Sequence, residues 1–291
     1  MAQKLLQYDV LEKLGEGARS SIYAVRDPLT RKVYALKHVI RNDAKDIRFI
    51  EQMETELEIS KTFNHPTLRK SYELKVQKSM LMKVNEAFLL MELVEGRTLD
   101  VAKPTDLVEL IEVFIQVAQG LKHMHQKGYV HCDLKPINIM RMANGAIKII
   151  DFGQSCKIGT AKERIQGTPD YIAPEQVNRQ PATEQTDIFN LGATMYWATT
   201  GKHVPTLYTT TKKGENSFLL DARFDSPHDL NPDIPEALSS LIMESIATRA
   251  SKRPVNMDAV IQRLEVAKYR LQKERDPNAT IKSQTHEAHE D

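Results

Sequence analysis

The chain has 291 residues, long for a single core and of a size that commonly divides into two packed lobes. Forty Lys and Arg residues face 39 Asp and Glu, a balance that gives no electrostatic reason for nucleic-acid or bulk membrane binding. Two cysteines, Cys132 and Cys156, are too few for a disulfide framework or a zinc-ligand spacing, which points to a reducing, cytoplasmic compartment.

No stretch approaches the ~20 uninterrupted apolar residues of a membrane span, so none is expected in this chain. Residues 1–7 show no signal-type apolar run, and Ala2 excludes a myristoylation start. Residues 8–40 read as strand. Ile22-Tyr23-Ala24-Val25 and Val33-Tyr34-Ala35-Leu36 are β-prone runs, and Asp27-Pro28-Leu29-Thr30 between them carries turn chemistry. A helix is predicted over about 45–63, where Ile47, Ile50, Met53 and Leu57 recur at helical spacing. Asn64-His65-Pro66 ends it, because the residue before a proline is pushed out of the α region.

Strand character returns over 68–94 and closes in Phe88-Leu89-Leu90-Met91. Glu95-Gly96-Arg97 breaks the pattern and is the candidate hinge between lobes. Beyond it the chain turns helical. Leu107, Leu110, Ile111, Phe114, Val117, Leu121 and Met124 make one apolar stripe, with Asp106 and Glu109 as its N-terminal cap and Gly128 as its stop. Further helices are predicted near 186–200, 236–247 and 256–273. Residues 275–291 are polar, contain Pro277, lack periodicity and read as a disordered tail.

Leu14-Gly15-Glu16-Gly17, between strands, lets the backbone turn tightly and approach a phosphate with no side chain in the way; an ordinary hairpin shares the pattern. Lys37 ends an apolar strand, and Glu56 follows on the predicted helix. A buried lysine requires a carboxylate partner, and such a pair can hold phosphate oxygens. Glu51, Glu54 and Glu58 leave open that Glu56 is one surface acid among several. Next come His131-Cys132-Asp133-Leu134-Lys135-Pro136-Ile137-Asn138, then Asp151-Phe152-Gly153, then Gly167-Thr168-Pro169 ahead of Ala173-Pro174-Glu175. In this order and spacing the segments resemble the eukaryotic-type protein kinase family, serine/threonine branch, over roughly residues 8–273.

The resemblance implies an α+β, two-lobed protein-kinase-like fold. A small antiparallel β-sheet N-lobe with one helix would occupy 1–93, and a larger, mainly α-helical C-lobe would occupy 94–274. ATP would lie in the cleft, with Mg²⁺ or Mn²⁺, and the partner would be a protein bearing Ser or Thr. Asp133 would orient the acceptor hydroxyl and take its proton, while Asn138 and Asp151 would hold the metal. Lys37, aligned by Glu56, would hold ATP, and backbone amides near Gly15 and Gly17 would cover its phosphates. Leu14, Ile22 and Ala35 join this nucleotide site; Met91 would be the gatekeeper, and the main chain of Glu92 and Val94 would hydrogen-bond adenine. Lys135 would contact the transferring phosphate, with Thr168 as partner of Asp133 and Lys135. Asp187 and Gly192 match the family's next helix start, and Arg253 stands where a partner for Glu175 is expected.

Three positions depart from the family pattern. Ser20 replaces the third glycine of the loop, Ile22 the usual valine, and Cys132 the arginine that ordinarily pairs with a phosphorylated activation-segment residue. A thiol cannot make that pair, so activity is expected not to depend on such phosphorylation; the alternative is that Cys132 is only a small packed residue. Its place beside Asp133 also invites a redox reading, for which a lowered thiol pKa is the requirement. The short segment 151–175 and Thr194-Met195-Tyr196-Trp197 resemble bacterial members.

Other features carry less. Arg69, Lys70, Lys75, Lys78 and Lys83 read as a solvated hairpin rather than a docking surface. His286, Glu287, His289, Glu290 and Asp291 read as tail, not metal site; Asn278-Ala279-Thr280 fits a glycosylation sequon without a secretion signal. Trp197 reads as core, and Thr206, Tyr208, Thr209, Thr210 and Thr211 as a hydroxyl-rich stretch open to autophosphorylation. The rival functions are a catalytically weak pseudokinase or ATP-binding scaffold, a small-molecule phosphotransferase and a tyrosine kinase. Retention of Lys37, Asp133 and Asp151 weighs against the first, residues 167–175 against the second, and Lys135 with Thr168 against the third. Nothing in the sequence fixes an oligomeric state or names the protein substrate.

Overall fold

Alternation along residues 33–40 and 84–91 sets the first layer. Ala35, Val39, Ala87, Leu89 and Met91 share one face, and Leu36, Phe88 and Leu90 share the other with Tyr8 and Val25. The computed structural model describes residues 3–17, 19–78, 84–204, 206–210, 216–220 and 224–275. Strands β1 (Lys4–Leu5), β2 (Tyr8–Glu16), β3 (Ser20–Arg26), β4 (Val33–Ile40), β5 (Ser71–Lys78) and β6 (Val84–Met91) form one antiparallel sheet, ordered β1-β2-β3-β4-β6-β5. The turn between β3 and β4 is built as its residues suggest. Asp27 Oδ1 accepts the N–H groups of Leu29 (2.8 Å) and Thr30 (3.0 Å), and Arg31 takes a φ of 62°.

Helix α1 (Ile47–Ser60) crosses the sheet face that carries Ala35 and Leu89, against which it buries Ile50 and Met53. A reciprocal cap precedes it: Asp43 Oδ1 accepts from Lys45 N–H (2.7 Å), and Asp46 Oδ2 accepts from Asp43 N–H (3.1 Å). The helix stops at Ser60, short of the predicted end near residue 63. Residues 61–63 form a turn instead, closed by Lys61 N–H to Leu57 O and Phe63 N–H to Ser60 O.

The candidate hinge at residues 95–97 needs correction. Gly96 begins a strand, β7 (Gly96–Thr98), which pairs with residues 140–142 of the second lobe. A side chain at Gly96 would lie 2.6 Å from Arg141 O, so glycine is required by close packing rather than by flexibility. The irregular link between the layers is residues 92–95.

The second lobe is built on α2 (Leu107–Gln126), whose apolar stripe is wholly or partly buried. Asp106 Oδ1 caps it on Glu109 N–H (3.0 Å), and Gly128 follows with a φ of 81°. Two short sheets hold the loops between the lobes: β7 joins β9 (Ile139–Met142) and β10 (Ile147–Ile149), and β8 (Tyr129–Val130) joins β11 (Cys156–Lys157). A short α3 (Pro174–Val177) leads to α4 (Glu184–Thr200). Strands β12 (Thr206–Thr210) and β13 (Asn216–Leu220) form a hairpin that sequence patterning left unassigned. The chain closes with α5 (Pro227–Leu230), α6 (Glu236–Ser245) and α7 (Met257–Arg275).

Gly192 lets α4 meet α6: an added Cβ would stand 2.6 Å from Ser245 Cβ. Met195 and Tyr196 are core, while Trp197 is only half buried, with Lys103 Nζ 5.5 Å over its ring. Among the described residues no helix is long and apolar enough to cross a membrane. Lys83, Thr211 and residues 276–291, including the tail histidines and Asn278, lie outside the described residues.

Candidate active site

Cross-strand register aligns the upper wall. Gly15 pairs with Ile22, Ile22 with Lys37, and Lys37 with Leu89. Lys37 lies between Ala35 and Val39, so period-2 alternation points it at the α1 face. There its Nζ is 3.2 Å from Glu56 Oε2 and 3.6 Å from Asp151 Oδ1. Glu56 is completely buried, whereas Glu51, Glu54 and Glu58 are exposed, which settles the alternative the sequence left open. Burial works against the Lys37 ammonium, but Asp151 and Glu56 outweigh it and raise its pKa above the ordinary lysine value. The Lys37 charge in turn lowers Asp151 to about 2, against the opposing effect of burial. Asp151 has a φ of 65°, in the left-handed region, and its side chain keeps 43% of its surface exposed.

The lower wall hangs from a buried carboxylate. Asp187, at the N-terminal end of α4, accepts the N–H groups of His131 (2.8 Å) and Cys132 (2.9 Å), and Nε2 of His125 stands 2.9 Å from its Oδ2. These contacts hold Cys132 at a φ of 66°, next to the buried Asp133. Burial would raise the Asp187 pKa, yet the His125 contact and the two histidine side chains prevail and lower it.

Asp133, Lys135 and Thr168 close a hydrogen-bonded triangle. Lys135 Nζ donates to Asp133 Oδ2 (2.8 Å) and to Thr168 Oγ1 (2.6 Å), and Thr168 donates to Asp133 Oδ1 (2.9 Å). Gly167, with a φ of 135°, presents Thr168 where a side chain would press on Ile172 at 3.0 Å. Asn138 Nδ2 donates to Asp133 O (2.9 Å), and its main-chain O accepts from Ile150 N–H (2.9 Å), which ties it to the residue before Asp151. The Asn138 amide oxygen and the ionised Asp151 carboxylate are hard oxygen donors of the kind that could hold Mg²⁺. Among the described residues no cluster of three or more His, Cys, Asp and Glu side chains forms a metal site.

The residues expected to face adenine are also placed. Ala35 is paired with Met91, and both are buried. Ile22 is half buried, and Leu14 is 45% exposed at the sheet edge. Glu92 is pinned on three sides: its N–H donates to Lys70 O (2.9 Å), and its carboxylate takes Lys70 N–H (3.1 Å) and Lys148 Nζ (2.8 Å). Val94 O accepts from Gly96 N–H (3.1 Å). Gly17 N–H donates to Ser20 O (2.7 Å), so the loop closes as a tight turn with serine in the third position; Ala18 within it lies outside the described residues.

The segment after Asp151 is fastened at both ends. Arg253 makes two parallel hydrogen bonds to Glu175, at 2.7 and 3.0 Å, with its guanidinium 5.0 Å over Phe189. Gln176, which sequence reading passed over, donates to Cys132 O (2.7 Å) and Gln166 O (3.1 Å), and so links the segment to the loop that carries Asp133. Cys132 is packed with Val130, Ala182 and Cys156, and its Sγ is 3.6 Å from Cys156 Sγ. Its hydrogen bond to Cys156 and its burial raise the Cys132 thiol well above the ordinary range, the opposite of a reactive thiolate.

A second correction concerns Arg69, which the sequence grouped with surface cations. It is buried, and its Nη2 donates to Glu56 Oε1; Lys70 and Lys78 are exposed as expected.

A family model described as a protein kinase domain matches residues 8–264. Curated relatives include a probable serine/threonine-protein kinase of Clostridium acetobutylicum, 28% identical over 90% of this chain and 40% of that protein. Aurora kinase of Candida glabrata is 27% identical over 85% of this chain and 68% of its own length. Serine/threonine-protein kinase PrkC of Bacillus subtilis is 27% identical over 83% of this chain. The chain spans 40% of the Clostridium relative and 37% of PrkC.

Proposed function

Because the chain belongs to the protein kinase family, we propose that it transfers the γ-phosphoryl group of ATP to serine or threonine hydroxyls of a protein. The observation that carries the reading is the Asp133–Lys135–Thr168 triangle beside Asn138, with Asp151 and Lys37 across the cleft. Phosphoryl transfer passes through a charge-rich, loose transition state, so positioned charges supply most of the catalysis.

Asp133 accepts the hydroxyl proton as the acceptor oxygen bonds to the γ-phosphorus and the bond to the β-phosphate bridging oxygen breaks. Lys135 offsets charge on the phosphoryl oxygens. Lys37, kept in place by Glu56, binds the α- and β-phosphate oxygens, and the backbone at Gly15 and Gly17 covers them. Asn138 and Asp151 would hold Mg²⁺, which would supply neutralisation of phosphate charge. Ile22, Ala35 and Leu14 enclose adenine in front of Met91. Since the Glu92 N–H already serves Lys70 O, the Glu92 carbonyl and the Val94 N–H are the groups for the adenine edge. Serine/threonine preference is supported by Lys135 and Thr168 and by the names of the relatives.

The test is transfer of label from radiolabelled ATP with Mg²⁺ to a generic protein acceptor, in wild type and Asp133→Asn, followed by phosphoamino-acid analysis. Label on serine or threonine that disappears in the variant supports the reading. ATP binding without transfer by folded wild type favours a pseudokinase or a missing activator instead, and label on tyrosine overturns the specificity.

A further inference from the structure

We propose that Arg69 is a positioning residue for phosphoryl transfer: it acts through Glu56 and keeps α1 docked on the sheet independently of Lys37. The proposal rests on the kinase reading for its effect on catalysis, and on geometry alone for its effect on α1.

Glu56 is a fully buried carboxylate with a cation on each oxygen, Lys37 on Oε2 at 3.2 Å and Arg69 on Oε1. The two cations differ in what else they do. Lys37 Nζ is also 3.6 Å from Asp151, at the cleft, where phosphate oxygens compete for it. Arg69 lies behind, with its side chain 7% exposed, and has no place in the cleft. A guanidinium cannot be deprotonated at working pH and binds carboxylates through a rigid fork, so it neutralises Glu56 whatever Lys37 is bound to. Without it, a buried carboxylate would depend on a lysine shared with the substrate, and an unpaired buried charge is costly.

The backbone of the same residue ties α1 to the strand that leads into Asp151. Arg69 N–H donates to Ile149 O (3.1 Å), and Ile149 N–H donates to Thr67 O (2.7 Å). On the other side, Ser60 Oγ in the last turn of α1 donates to Arg69 O (3.2 Å) and accepts from Ser71 N–H (2.8 Å). Residues 67–71 thus clip α1, β5 and β10 together, and the Arg69 side chain is the clip's charged end. These bonds hold α1 through residues that lie outside the activation segment. This agrees with Cys132, which offers no cation to a phosphorylated residue there.

The experiment is hydrogen–deuterium exchange over 47–60, read beside steady-state kinetics, in wild type, Lys37→Met, Arg69→Met and Arg69→Lys. Lys37→Met should leave exchange in α1 within about twofold of wild type, while Arg69→Met should speed it by about tenfold or more, with α2 unchanged. Arg69→Met should lower kcat by about tenfold while the ATP KM moves less than about threefold, and Arg69→Lys should recover much of both effects because the charge remains. Wild-type exchange and kcat in Arg69→Met overturn the proposal. So does release of α1 in Lys37→Met, which is decisive even where Arg69→Met does not fold. Exchange needs no turnover: α1 protected in Lys37→Met, with no phosphotransfer by wild type, would refute the kinase reading and leave the Arg69 clip standing.

Discussion

The Thr168 hydroxyl donates to the Asp133 carboxylate at 2.9 Å across 35 residues of sequence, and Lys135 bonds to both. Thr168 therefore fastens the segment that follows Asp151 to the loop that carries Asp133 and Lys135. Preorganised polar groups of this kind are worth most where charge develops, because they need no reorganisation during the reaction.

Removing one corner of the triangle should cost turnover more than binding. Lys135→Met is expected to reduce kcat by about 10²-fold with the ATP KM nearly unchanged, as for other single preorganised donors. Thr168→Val should be milder, about tenfold, because Lys135 still reaches Asp133. Steady-state kinetics with varied ATP check both; an equal rise in KM at constant kcat would assign these residues to binding alone.

Arg253 and Glu175 should dominate the stability of the second lobe. The Arg253 side chain is fully buried, and its Nη1 also donates to Gln185 O at 2.7 Å. Arg253→Leu leaves the Glu175 carboxylate buried without its partner and should destabilise the protein by about 3–5 kcal/mol. Arg253→Lys should lose less but not recover wild type, since an ammonium cannot make the two-pronged contact. Urea midpoints at constant slope are the measurement.

Activation-segment hydroxyls should be dispensable as phosphate acceptors. Ser155 is buried with its Oγ bonded to His131 O at 3.3 Å, and Cys132 beside it is packed in an apolar pocket. Ser155→Ala with Thr160→Ala should retain activity within about threefold, at a stability cost of about 1 kcal/mol for the lost hydrogen bond. Abolished activity in a folded double variant would show that phosphorylation there is needed after all.

Legibility followed sequence locality and charge pairing. The β-prone run ahead of Lys37 and the Asp106 and Gly128 signals that bound α2 were legible because each is decided by a few neighbouring residues; the strand itself runs on to Ile40, which places Lys37 inside it and not at its end. The Asp133, Asn138 and Asp151 spacing could be read because one loop and one hairpin bring them together. Arg69 could not be read this way. Its neighbours Lys70 and Lys78 are solvated, and only the approach of α1 from 13 positions upstream makes it an interior cation. Gly96 misled for a related reason: a glycine demanded by Arg141 O on a distant strand looks the same in sequence as one that frees a hinge. The β12–β13 hairpin mixes hydroxyl residues with the run Phe218-Leu219-Leu220 and has no strict alternation in sequence.

The Lys37–Asp151 pair should write itself into the pH dependence of stability from both ends. Asp151 titrates at about 2 in the folded protein, against about 3.9 for an unfolded aspartate. A depressed folded pKa means that the unfolded chain binds the proton first. The stabilisation is therefore complete above about pH 5, shrinks as pH falls through the ordinary value, and is gone below about 2. Because the Asp151 side chain is 43% exposed, solvent screening reduces its share to about 1 kcal/mol. Lys37 behaves in the reverse sense: its raised pKa gives stabilisation that is full below the ordinary lysine value and is lost as pH rises through the folded one. Asp151→Asn removes the acid-side contribution and weakens the basic one. Its unfolding free energy should lie below that of wild type near neutrality and converge on it towards pH 2. Curves that stay parallel from pH 7 to 2 would mean that Asp151 contributes no coupled proton, and that the proximity of its carboxylate to Lys37 is not expressed as an ion pair in solution.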